Sequence, residues 1–179
     1  MYKLFPALVD PERCEILLSL AHQHLSSFIK SQGVMRRMGI HDNEVLSDYA
    51  LMKYWKMPEA LKILVDDALP SDLRIKANEV WLLHFPKGGQ LDQYQSSKAL
   101  FNCLSIPLNS GGVFNVWEDD APQPIINKAG DGVFFSLANS HQVPKTSQED
   151  WYLCFLFLNH IPESLFNDLF NDQEVTKNA

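Results

Sequence analysis

Histidines, carboxylates and thiols are the side chains that could do chemistry here, and their spacing narrows the options. His141 follows Asn139 and Ser140 in a turn at the end of an apolar run. His84 lies inside another such run, Glu79 to Phe85. Strand alternation sets it on one face with Val80 and Leu82, leaving Trp81, Leu83 and Phe85 on the other. It is either a hydrogen-bonded, half-buried residue or part of a site lining, since intermediate burial is ordinary for histidine. His22 and His24 stand two apart on a predicted helix, which turns them away from each other, so they read as surface or flank residues. Cys14, Cys103 and Cys154 sit far apart in apolar runs, without the close spacing of a zinc site or the even count of a disulfide framework. They read as reduced core thiols. The acidic run Glu118 to Asp120 lacks interleaved glycine and spaced ligands, and so reads as a solvated loop, not a cation site. The sequence contains no phosphate-cradling glycine loop and no nucleophile elbow, and Gly88-Gly89 is a turn.

The elements that must position these residues are short. Val80 to Phe85, Ala99 to Leu108, Gly112 to Trp117, Pro124 to Ile126, Gly132 to Leu137 and Trp151 to Leu158 are rich in Phe, Trp, Val, Ile and Leu and are broken by Gly, Pro and Asn turns. Strands of this length and punctuation predict a sandwich or barrel. Pro107 must fall at a strand end or edge, because it cannot donate to a ladder. Trp151 to Asn159 reads as a central strand buried on both faces. Asp10-Pro11 is a helix start, with Asp as N-cap and Pro in the first turn. Cys14, Leu17, Leu18, Ala21, Leu25 and Phe28 then recur at helical spacing up to Gly33. Ser47 to Met57 and Pro58 to Leu69 read as two further helical segments, the second with a stripe of Leu61, Leu64, Val65 and Ala68. Gly33 to Glu44, which carries Arg36, Arg37, His41 and Asp42, has no period and reads as loop. Ile161 opens a last helix packed through Leu165, Phe166, Leu169 and Phe170, before a polar tail.

The chain of 179 residues fits one domain with a sizeable core. Residues 1–75 read as a mostly helical N-terminal part, 76–160 as the β core and 161–179 as a C-terminal helix and tail. A net charge of −7 spread along the chain argues against binding to nucleic-acid phosphates or anionic membrane. Met1 to Val9 is too short and too punctuated by Pro6 for a secretory signal, and no apolar run approaches a membrane span. With reduced cysteines, this predicts a cytoplasmic protein.

The order of pieces between Glu79 and Leu158 resembles the double-stranded β-helix of the iron and 2-oxoglutarate dependent oxygenases, the prolyl-hydroxylase-like branch in particular. Glu79 to Leu91 resembles the strand and glycine turn before the family's His-x-Asp metal motif. Ser105 to Val113, with Leu108-Asn109 and then Gly111-Gly112, resembles its next strand end. Ala129 to Ser136, followed by Ser140 to Pro144, resembles the turn, strand and second metal histidine. Leu4 to Leu20 resembles the family's opening strand and helix. The resemblance implies a mainly β fold with flanking helices (α+β), a jelly-roll or cupin-like double-stranded β-helix of about eight strands. It makes His141 the second iron histidine. Small members of the fold occur in bacteria and in phages of aquatic bacteria, which leaves a bacterial cytoplasm, or a host cytoplasm or virion, as the setting.

The same comparison shows what is missing. The family holds ferrous iron with two His and one carboxylate, and the His-x-Asp pair should fall between Leu91 and Ser97. That window contains no His. Depending on register, the ligand positions are Gln93 and Gln95 or Tyr94 and Ser96. About ten positions after the second His the family places a basic residue that clamps the cosubstrate carboxylate. Here Gln148 to Tyr152 is acidic and aromatic. The expectation is an oxygenase-like fold with a degenerate site, serving as a non-catalytic binding or structural module with no cofactor. A protein partner or assembly is favoured over a small molecule. Two alternatives stand beside it. One is a hydroxylase using Fe(II) and 2-oxoglutarate with a rearranged shell, in which His141 joins His84, Asp92 or Tyr94. The other is a metal-free small-molecule binder using the barrel mouth.

Overall fold

A strand buried on both faces must alternate its side chains between two cores, and the last strand of this protein does so. The computed structural model describes residues 2–32, 46–95 and 101–158. In it, β12 (Asp150–Leu158) is buried from Asp150 to Phe157. Trp151, Leu153, Phe155 and Phe157 pack with the helices in an outer core. Tyr152, Cys154 and Leu156 face the opposite way, into an inner core between two sheets.

The described strands preceding it are β1 (Tyr2–Phe5), β2 (Ile29–Lys30), β3 (Ser47–Asp48), β4 (Ala50–Lys53), β5 (Glu79–Phe85), β6 (Gln90–Tyr94), β7 (Phe101–Pro107), β8 (Val113–Glu118), β9 (Ala121–Ile126), β10 (Gly132–Ser136) and β11 (His141–Val143). They form a seven-stranded sheet in the order β1-β10-β7-β12-β5-β4-β2 and a five-stranded sheet in the order β3-β6-β11-β8-β9. Every pairing is antiparallel. The sequence expectation of a jelly-roll sandwich with flanking helices holds. β5 to β12 supply the expected eight strands, and four N-terminal strands extend the two sheets. Pro107 ends β7, where no further donor is needed.

The helices close the outer core. α1 (Pro11–Gln23) begins at Asp10, whose carboxylate accepts the Glu12 amide at 2.8 Å, and it buries Cys14, Leu17 and Ala21. α2 (Glu59–Asp66) packs on α1 and buries Leu61 and Val65. Gly130 pins the entry to α1: it lies at φ +88°, and a Cβ there would overlap the Val9 carbonyl, so only glycine fits. The Val9 amide donates to the Gly130 carbonyl at 3.0 Å.

Two expectations need correction. Ser47 to Met57 is not helical: it forms β3, β4 and a 3-10 turn at Tyr54–Lys56. Its adjacent apolar residues Leu51 and Met52 point to different cores. The exposed backbone edge of β5 offers β4 a full ladder, from Ala50 opposite His84 to Lys53 opposite Trp81. Tertiary pairing here overrides local periodicity. After α2 the chain makes another helical turn, α3 (Ser71–Arg74), before the sheet begins. Finally, the acidic run Glu118 to Asp120 is exposed as expected but is a turn and not a loop. Asp119 and Asp120, at φ 50° and 62°, make a two-residue turn that joins β8 directly to β9. The predicted C-terminal helix, the Arg36 to Asp42 loop and Ser96 lie outside the described residues.

Candidate functional site

β11 lies between β6 and β8, and this fixes what His141 can touch. His141 stands opposite Tyr94 on one side and Val116 on the other. Its ring enters the inner core, with Tyr94 at 5.8 Å and nearly perpendicular, Phe135 at 5.2 Å and Phe114 at 6.4 Å between centroids. Nδ1 lies 2.9 Å from the Asn139 carbonyl. In the neutral ring that bond puts the proton on Nδ1 and leaves Nε2 as acceptor. Burial among apolar groups pushes the imidazole down to about 4, the Asn139 bond acting weakly the other way, so the ring is neutral at pH 7.

The residues expected at the metal pair separate by face. β6 carries a register shift against β11, with Leu91 opposite Val143 and Tyr94 opposite His141. Three residues on β6 span the distance of two on β11, as in a bulge, and both Leu91 and Tyr94 turn inward. Gln93 and Gln95 are exposed. The Gln95 side-chain carbonyl is the distant acceptor, at 3.5 Å, of the Ser140 hydroxyl. Asp92 is half-buried, and its carboxylate accepts the Gln90 amide at 2.9 Å. Of the described members of that window, Tyr94 is the one beside His141.

His84 is not brought to His141. β5 pairs with β12 so that His84 faces Trp151, and the two rings stack at 4.3 Å on the helix side of the larger sheet. Its Nε2 lies 3.6 Å from Glu149 Oε1, beyond hydrogen-bond reach, and is buried with no bonded partner. Burial pulls its pKa down, with Glu149 opposing. His22, half-exposed on α1, approaches the other Glu149 oxygen at 3.5 Å. Both histidines therefore belong to the outer surface of the sheet, while His141 belongs to its inner surface.

The stretch expected to hold a cation instead holds a buried carboxylate. Asp150 is 2% exposed and faces the same side of β12 as Tyr152. Desolvation raises its pKa, while bonds from Gln148 and Asn109 hold it back. Gln148 Nε2 donates to Oδ1 at 3.1 Å. Gly112 is required beside it, because a Cβ at that position would occupy the carboxylate's space. Tyr152 sits further in, its hydroxyl accepting the Asn127 amide at 2.7 Å.

Beside His141 the inner core leaves a cavity of about 70 Å³, walled by Tyr49, Phe85, Phe114, Phe135, Tyr152 and Cys154 among others. Sequence reasoning missed this wall. The alternation along β12 could have found part of it, since it places Tyr152, Cys154 and Leu156 on one face.

No family model and no curated protein matches the chain. Solved structures do. A Pseudomonas putida prolyl-4-hydroxylase is 12% identical, with a TM-score of 0.62 over 89% of this chain and 93% of that one. A Trichoplax adhaerens prolyl hydroxylase, solved with a peptide of the hypoxia inducible factor oxygen degradation domain, is 10% identical with a TM-score of 0.71 over 88% and 83%. The fold is the prolyl-hydroxylase fold. HygX from Streptomyces hygroscopicus, solved with nickel and 2-oxoglutarate bound, is 11% identical with a TM-score of 0.58 over 89% and 83%. Identities this low carry the fold and leave the chemistry to be argued from the residues.

The described residues do not fit the iron that the fold family implies. Among the described residues, no three His, Cys, Asp or Glu side chains converge in a metal-binding arrangement. The neighbours of His141 are aromatic and apolar, and one neutral imidazole cannot set the ligand count and geometry that ferrous iron needs.

Proposed function

We propose that this protein is a non-catalytic member of its fold, a binding or structural module that has the oxygenase β-helix without its metal and 2-oxoglutarate machinery. The observation that carries the reading is Tyr94 standing opposite His141, where a hydroxylase of this fold would need a metal ligand. Asp150 supports it: a buried carboxylate in the stretch where the cosubstrate's carboxylate would need a cation repels that group. The role left to such a module is recognition, of a protein partner or of a small molecule in the barrel.

The apolar cavity beside His141 favours a second reading, a metal-free small-molecule binder. A hydroxylase with a rearranged shell would need His84, Asp92 or Tyr94 to join His141, and of these only Tyr94 stands beside it, supplying at most one further ligand. His84 lies across the larger sheet and Asp92 is bonded to Gln90.

Iron analysis and a succinate assay test the proposal. Purified protein incubated with ferrous iron and desalted should retain less than about a tenth of an equivalent of iron, because one imidazole supplies one of three ligands. With iron, ascorbate and 2-oxoglutarate added, it should form no succinate. Turnover that disappears in His141→Ala would overturn the reading.

A further inference from the structure

The inner cavity has a definite chemistry. The larger sheet lines it with Phe135, Ser105, Tyr152 and Cys154, and the smaller sheet with Phe114 and His141. Among the described residues that line it there is no Asp, Glu, Lys or Arg. A charged guest would lose its hydration without gaining a counter-ion, which costs several kcal/mol for even a partly compensated ion. Water fares little better, since a stable buried water needs two to four polar partners. Several polar atoms on this wall are already engaged, His141 Nδ1 with Asn139, Tyr152 with Asn127, and Ser105 with the Cys154 thiol at 3.6 Å, while His141 Nε2 stays an acceptor and offers a water one partner. Size restricts the guest further. A cavity of about 70 Å³ is roughly half of the ~150 Å³ that holds benzene in an engineered apolar core.

From this geometry we propose that the space between the sheets is a binding site for a small, uncharged, apolar molecule of a few heavy atoms. The proposal rests on the reading that no iron occupies the barrel, and it names the class of guest which that barrel takes. Burial of the guest's surface against the aromatic wall supplies the affinity, and the absence of charge excludes 2-oxoglutarate and other anions.

Xenon is the probe. A titration followed by ¹²⁹Xe and ¹H–¹³C methyl NMR should show a saturable shift, with the methyl groups of Leu137 and Leu156 perturbed ahead of those in the outer core. Ser105→Leu fills the space from the β7 side and should weaken xenon binding by roughly tenfold or more. Phe135→Ala enlarges the space and should admit benzene, read as a raised melting temperature on benzene addition. Each variant is first checked for a wild-type far-UV spectrum and a cooperative melt. If Ser105→Leu does not fold, the wild-type and Phe135→Ala arms still decide. A xenon shift in folded wild-type protein that rises linearly, without saturation and without preference for inner-core methyls, overturns the proposal, as does unchanged binding in folded Ser105→Leu. Iron retention and succinate formation in the same preparation would overturn the non-catalytic reading instead, so the two failures are distinguishable.

Discussion

His141 and Tyr94 face each other across the β6–β11 ladder with their rings perpendicular and 5.8 Å apart, and both are buried. An imidazole held there against phenyl and phenol rings loses its hydration when charged, with no carboxylate offered in exchange. The fold therefore holds it neutral down to a pH of about 4.

This gives a pH-dependent stability with a definite sign. The folded pKa, about 4, lies below the unfolded value of about 6.5. Between these values the unfolded chain binds the extra proton, so stability falls as the pH drops from 6.5 to 4 and is flat in this term above and below. The full loss is on the order of 3 kcal/mol. Urea melts at pH 7.5 and 4.5 should show most of that difference in wild type. In His141→Gln the difference should shrink by about 2 kcal/mol. An equal pH dependence in both proteins would contradict a buried neutral imidazole.

Asp150 should behave in the opposite sense. Its folded pKa is raised, chiefly by desolvation, so this group makes the protein more stable as the pH falls from that raised value toward the ordinary carboxylate range and costs stability once the carboxyl ionises. Asp150→Asn keeps an acceptor for Gln148 Nε2 and removes the charge. The variant should melt at or above the wild-type temperature at pH 8, and its advantage should fade on acidification. A cation at this position in a working oxygenase would give the reverse pattern on neutralisation. A lower melting temperature for Asp150→Asn at pH 8 would show that the ionised carboxylate is stabilising.

Six of the strands between Val80 and Leu158 were legible because they are short, apolar and separated by turn residues, whereas β6 and β11, which carry Tyr94 and His141, are short and partly polar and did not stand out. β12 shows the rule at its clearest: continuous apolar sequence, and burial on both faces. Residues 47–57 failed for a physical reason. The stretch contains no glycine or proline to break a helix, and the free edge of β5, invisible to any local window, makes it a strand. The site divided in the same way. The absence of histidine between Leu91 and Ser97 needed only the sequence. Whether Gln93 or Tyr94 turned inward depended on the bulge between β6 and β11, which is set by pairing. The separation of His84 from His141 also had to come from register, because the Trp151–His84 pairing decides which side of the larger sheet His84 occupies.

The thiols give the last test, because they report on both cores at once. Cys14 lies under α1 in the outer core, with its pKa raised to about 11 by burial and by the nearby Asp10 charge. Cys103 and Cys154 lie on adjacent strands in the inner core, both free and both lining the cavity, and the Cys103 thiol is raised well above its usual range by its hydrogen bond with Cys154 and by burial. A thiol reacts as the thiolate and only where a reagent can reach it, and all three thiols are buried, so all three should be inert in the native protein at neutral pH. Ellman's reagent should detect less than about one thiol per chain in native protein at pH 8, with all three appearing at the unfolding rate once urea passes the transition midpoint. Fast native labelling confined to Cys103 or Cys154 would mean that the barrel opens to a reagent far larger than the cavity, and that the inner core is a gated pocket instead of a closed one.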